Sequence, residues 1–277
     1  MIKNCSIVVV LLILLGCDIK TKKTVNTQIA AAAITPVSNN NFDTSYKTIH
    51  VFVALCDNKY QGIVPVPAAI GNGQDPNSNL YWGCAFGIRS YFKNSTNWTL
   101  LKRYSIDSIK MERLIFKNKK QNYYLVADAY NGKYIKQCTV DFLQSCSGQA
   151  KDTLHISDKT IGINGNATLV AYIGHDGLMD FTLNQTFTNT DNIKREAIIL
   201  ACISKRYFAP HLAATKANPL VWSTGLMSPE AYTLHDALES YITKASAENI
   251  RNSAAKAYSK YQNCSVKAAR NLLVTGF

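Results

Sequence analysis

Short apolar runs recur along this chain, bounded by polar, turn-forming residues, and two periodicities alternate among them. Ile49 to Leu55 (Ile-His-Val-Phe-Val-Ala-Leu) is rich in β-branched and aromatic residues and predicts a first central strand. Leu169 to Ile173 and Ala197 to Leu200 have the same continuous apolar character, which suits strands buried on both faces. Trp98 to Tyr104 and Pro219 to Thr224 add two more. Leu114 to Phe116 and Tyr123 to Ala127 flank the turn-like Lys117 to Asn122, and either pair as a hairpin or belong to separate strands. Between these runs the period changes to that of a helix. Tyr81, Cys84, Ala85, Ile88, Tyr91 and Phe92 form one stripe, and Ile135, Cys138, Thr139, Phe142, Leu143 and Cys146 another. Tyr207 to Thr215 reads as a short helix. Ser228-Pro229-Glu230 is a helix start, with serine as cap, for a face of Ala231, Leu234, Leu238, Tyr241 and Ile242. Glu248 to Gln262 and Val266 to Leu273 complete the helices. Strands alternating with helices predict an α/β domain with a mostly parallel central sheet and helices on both faces.

The front of the chain is different. Lys3 precedes an unbroken apolar run from Ile7 to Leu15, far shorter than the roughly 20 residues a spanning helix needs, so it reads as a signal-peptide core. Leu14-Leu15-Gly16-Cys17 resembles a bacterial lipobox, which implies that Cys17 becomes a lipidated first residue. The expected organisation is therefore a lipoprotein signal peptide over 1–16, a lipidated N-terminus and flexible tether over 17–46, and one domain over 47–277. The expected location is the bacterial cell envelope, with a membrane as partner through the lipid chains.

Composition narrows the partners. The formal net charge is +12, but the lysines are scattered apart from Lys117-Asn118-Lys119-Lys120, and no nucleic-acid-binding motif accompanies them. No nucleic-acid partner is expected. Six cysteines fall in the domain, at 56, 84, 138, 146, 202 and 264, and their spacing chooses no disulfide pattern. Without a Cys-x-x-Cys pair, no metal or other cofactor is expected. Asp75-Pro76-Asn77-Ser78-Asn79 has alternating oxygen side chains, but lacks the later glycine and glutamate of a calcium loop. It reads as an Asx-rich cap.

The candidate chemistry sits after two of the apolar strands. His175 follows the first, and Cys202 follows the next, 27 residues later. If those strands are parallel neighbours, an imidazole and a thiol emerge at one sheet edge, where the imidazole can take the thiol proton. Tyr172-Ile173-Gly174-His175 and Ile199-Leu200-Ala201-Cys202-Ile203-Ser204 resemble the strand ends of the caspase-fold clan of cysteine peptidases (caspases, legumains, gingipains, clostripain-like enzymes). The resemblance implies a caspase-like three-layer sandwich and a peptide or protein substrate. It implies Cys202 as nucleophile, His175 as acid/base, and backbone N–H groups near Gly177 and Cys202 as an oxyanion hole. Trp222, Ser223 and Thr224 would form part of a specificity pocket. The pattern departs from the clan in two places: Asp176 separates His175 from Gly177, and Lys205 stands where a glycine is usual. Asp176 is a candidate to orient the imidazole, with Asp180 a more distant one. The alternative reading is a catalytically inactive caspase-fold domain, or another envelope lipoprotein, that binds a protein, peptide or glycan.

Overall fold

In a computed structural model, residues 41–277 are described, and the assigned signal peptide and nearly all of the tether lie outside them. The strands are β1 (Lys47–Ala54), β2 (Trp98–Tyr104), β3 (Lys110–Asn118), β4 (Tyr123–Tyr130), β5 (Lys151–Ile156), β6 (Lys159–Asn164), β7 (Leu169–Gly174), β8 (Glu196–Leu200), β9 (Asn218–Ser223) and β10 (Leu273–Val274). The helices are α1 (Ile88–Lys93), α2 (Ile135–Ser147), α3 (Ser204–Thr215), α4 (Ala231–Ile242), α5 (Ala247–Tyr261) and α6 (Val266–Leu272).

Eight strands form one mixed, mostly parallel sheet in the order β10-β9-β8-β7-β1-β4-β3-β2. β4, β1, β7, β8 and β9 pair parallel, while β3 and then β2 at one edge and β10 at the other are joined by antiparallel pairing. Alternation along each central strand divides two cores. Ile49, Val51 and Val53 of β1 join Leu234, Leu238, Ile250 and Ala254 of α4 and α5 on one face. Phe52 and Ala54 join Phe142 of α2 and Phe208 and Leu212 of α3 on the other. The result is a three-layer α/β domain, as the continuous apolar strands require, since each has two faces to bury. No helix among the described residues is long and apolar enough to cross a membrane.

Several local expectations change. The stripe from Tyr81 to Phe92 is helical only from Ile88. A Cβ on Gly83 or Gly87 would run into the backbone of Asn77 or Trp82. Tight turns in which Trp82, Gly83 and Cys84 all donate to Asn79 O replace the first part of the expected helix. Ser228 does not cap α4. Glu230 holds that position, and the Ser228 N–H goes to Tyr258 Oη at 3.3 Å. The two runs around Lys117 to Asn122 pair directly as the antiparallel β3–β4 hairpin, Phe116 opposite Leu125. The sequence pattern does not predict the β5–β6 hairpin. Its polar, half-exposed strands lack a long apolar run, and Ile161 and Ile163 pack on Ile115 and Val126. Asp43, assigned to the tether, is seated against this hairpin by its N–H to Thr160 O at 2.8 Å, and the Tyr46 ring lies on Tyr124.

Candidate functional site

Strand order and register assemble the site. The chain places β4 on one side of β1, then crosses to lay β7, β8 and β9 on the other. The carboxyl ends of β1 and β7 therefore flank the point where the winding direction reverses, the usual ligand crevice of an open α/β sheet. Ala54 of β1 pairs with Gly174 of β7, and Ile173 of β7 with Leu200 of β8. Continuing that register puts Cys202 level with His175. Ile173 and Leu200 both face the core beneath α4 and α5, so a step of two along each strand aims His175 and Cys202 to the same side. Gly174 has φ of 139°, and a Cβ there would lie 2.4 Å from Ala54 O, so only glycine lets β7 end this close to β1.

Both side chains line one groove of about 440 Å³. His175 is held from behind. Its Nε2 bonds Asp180 Oδ2 at 2.7 Å, and the same carboxylate oxygen accepts the Gly62 N–H at 3.0 Å. This partner set assigns the proton to Nε2 and leaves Nδ1 as the nitrogen available to a thiol or substrate. Asp180 reaches the ring because Gly177 to Met179 form a single 3₁₀ turn that folds the chain back. Asp176 faces inward instead. Its Oδ1 caps that turn through Leu178 N–H at 3.0 Å, and its Oδ2 is buried without a partner. Burial pushes its carboxyl up to about 7, with the charge of Asp180 adding to the rise. Asp180, not Asp176, is thus the imidazole's carboxylate partner.

Cys202 sits on a tight strand-to-helix elbow between β8 and α3. Ile203 adopts φ of 50°, a left-handed conformation that a β-branched residue holds only when its surroundings enforce it. The enforcement is visible. Ile203 N–H donates to Gly225 O at 2.8 Å, Ser204 Oγ donates to Ile199 O at 2.9 Å, and Ser223 N–H donates to Ser204 Oγ at 2.9 Å. The Met227 peptide clasps the thiol, its N–H donating to Sγ at 3.4 Å and its carbonyl accepting at 3.5 Å. Burial raises the Cys202 thiol above its ordinary value, opposed by the Met227 N–H and reinforced by Asp176. The resting sulfur is therefore a thiol, and its proton must move before it can attack.

The remaining candidates fall elsewhere. Gly177 is buried, its Cβ direction is filled by the Phe181 ring, and it does not line the groove. The backbone donor beside the sulfur is Met227. Trp222 is buried against Phe277, with its Nε1–H on Gly276 O at 3.0 Å. Ser223 locks the elbow, and Thr224 Oγ1 donates to Asn271 O at 2.9 Å. None of these three lines the groove; the residues that follow, Leu226 to Pro229, do, together with Gly62 to Val66 from the loop after β1. Sequence reasoning missed that loop and Met227 and ranked Asp180 low. The apolar Ile63, Val64 and Val66 within a long, otherwise turn-forming loop were the available signal. Asp75 spends its oxygens on Asn77 N–H and Ser78 Oγ–H, as an Asx turn does. Among the described residues no group of acidic, histidine or cysteine side chains has the arrangement of a metal site.

The domain is thus an α/β sandwich with a thiol and an imidazole in one crevice at the switch point of its sheet. No protein-family model, no curated protein and no solved structure matches the chain.

Proposed function

We propose that this crevice is a thiol hydrolase site acting on a peptide bond, held at the cell envelope by lipid on Cys17. The observation that carries the reading is the shared groove of Cys202 and His175, aligned by the register of two parallel strands and backed by Asp180. In the proposed reaction Cys202 Sγ attacks the scissile carbonyl carbon and its proton passes to His175 Nδ1. The developing oxyanion takes the Met227 N–H, which already points at the sulfur. The imidazolium then protonates the leaving amine as the C–N bond breaks, leaving a thioester. Water attacks the thioester, giving its proton to His175, and the thiol is regenerated as the carboxylic acid leaves. Asp180 acts as a positioning residue that holds the ring and balances its charge. The inserted Asp176 and the inward Gly177 favour a second reading, a domain that keeps the groove for binding alone.

Iodoacetamide labelling of the mature protein near neutral pH separates the two. In the hydrolase reading Cys202 labels faster than the half-buried Cys84 and Cys264, and His175→Ala slows it. Cys56, pushed up to about 11 by burial, and the fully buried Cys138 and Cys146 label last. Cys202→Ala abolishes any peptide hydrolysis. Labelling of Cys202 no faster than Cys84, with no peptide cleaved, overturns the hydrolase reading.

A further inference from the structure

We propose that the groove selects an extended peptide by seating an uncharged, bulky apolar side chain beside Cys202. This rests on the thiol-hydrolase reading for the cleavage step and names the substrate class of that same site. The rim exposes three large apolar side chains from three separate loops: Val64 at 85%, Leu226 at 70% and Met179 at 39%. They follow β1, β9 and β7 respectively, so the patch exists only in the assembled sheet edge. Its convergence on the single crevice that holds both reactive side chains is the reason to read it as a substrate surface. Ile63, Val66 and Leu80 continue the apolar wall inward.

The charge pattern decides between side chains. No lysine, arginine, aspartate or glutamate is among the described residues that line this groove. Three carboxylates adjoin its lining in sequence and none of them lines it: Asp176 is fully buried and caps the turn through Leu178 N–H, and the other two are engaged. Asp180 bonds His175 and Gly62, and Glu230 accepts the Tyr232 hydroxyl at 2.9 Å. Lys133 and Lys136 line a different hollow with Thr182 to Gln185. A charged side chain entering beside Cys202 would lose water and gain no counter-ion, which is strongly unfavourable. An apolar one gains burial against Leu80, Val66 and Leu226.

The test uses the full mature protein and a set of fluorogenic peptides that differ at one residue. Leu, Val, Met and Phe peptides are expected to exceed Asp, Glu, Lys and Arg peptides in kcat/KM by about 100-fold or more. Leu226→Asp is expected to lower kcat/KM on the apolar set about tenfold or more. Val64→Asp, at a position still more exposed, provides the same readout should the first variant fold poorly. In parallel, anisotropy of labelled Leu and Lys peptides is measured on Cys202→Ala, where binding is read without turnover. Binding of the Leu peptide alone, with no cleavage by the unmodified protein, sustains this inference and overturns the hydrolase reading. Preferred cleavage or binding of the charged peptides overturns this inference and leaves the hydrolase reading to its own test. Cleavage indifferent to both rim variants overturns it as well, and neither cleavage nor binding overturns both.

Discussion

Replacing Asp128 with Asn should damage the fold although the residue lies outside the groove. Asp128 lies in β4 with no exposed surface, and both oxygens are committed. Arg113 Nε and Nη2 donate to them at 2.6 Å each, and His50 Nε2 bonds Oδ2 at 3.1 Å. The opposite nitrogen, His50 Nδ1, accepts the Asn164 N–H at 3.0 Å, so His50 is neutral and the cluster ties β1, β3 and β4 to the β5–β6 hairpin. Removing the carboxylate charge leaves the buried Arg113 guanidinium uncompensated, which costs about 3–5 kcal/mol. For a domain of this size, about 2–4 °C per kcal/mol translates that into a Tm lower by roughly 6–20 °C. Thermal and urea unfolding followed by circular dichroism measure it directly. The double variant Arg113→Met/Asp128→Leu should recover part of the loss, because a buried ion pair and an apolar replacement of similar volume are often close in stability, while the buried His50 Nε2–H is left without its acceptor. The pH dependence has two parts. Burial is the largest influence on His50 and lowers its pKa, so its contribution is complete above about 6.5 and lost as pH falls below that. For Asp128 burial acts to raise the pKa, but bonds from Arg113 and His50 outweigh it and hold the carboxyl below its ordinary 3.8. Its contribution is lost as pH falls below that value, and the Asn variant should lack this second loss. A penalty under about 1 kcal/mol, or no recovery in the double variant, would refute the reasoning.

Three further outcomes are expected. A Cβ at Gly62 would stand 2.4 Å from Asp180 Oδ1, so Gly62→Ala should displace that carboxylate from His175; peptide turnover should fall on the order of 100-fold, and an unchanged rate would separate Asp180 from catalysis. Ser204→Ala strands the Ser223 N–H beneath the strained elbow and should cost about 1–3 kcal/mol in urea unfolding while lowering Cys202 labelling; normal labelling would show that Ile203 holds the elbow without it. Mass spectrometry of the native protein should find an acylated Cys17 as the first residue, and an intact Met1 would remove the lipid anchor from the proposal.

The amino-acid order alone determined the layered α/β architecture. Runs such as Leu169 to Ile173 and Ala197 to Leu200 have apolar side chains on both faces of a strand, and only a sheet covered on both sides buries them. It also placed His175 and Cys202 immediately after two such strands, hence at the carboxyl edge of any parallel sheet. Tertiary structure decided everything that depends on register and on turns. Whether the two residues stand level rests on Ile173 pairing with Leu200, and a slip by one would aim them to opposite faces. Asp176 adjoins His175 in sequence yet points inward, whereas the turn after it brings Asp180 back to the ring. Sequence proximity misled because neighbouring residues in extended chain face opposite ways. Glycines 83 and 87 shortened a helix whose apolar stripe was genuine, because the chain folds back so tightly that the backbone of Asn77 and Trp82, a few residues upstream, occupies the space where a side chain would lie. The groove itself was hidden for a similar reason. Its walls come from the loops after β1, β7 and β9, and the Gly62–Asp180 bond spans 118 residues of chain, a closure no local pattern encodes.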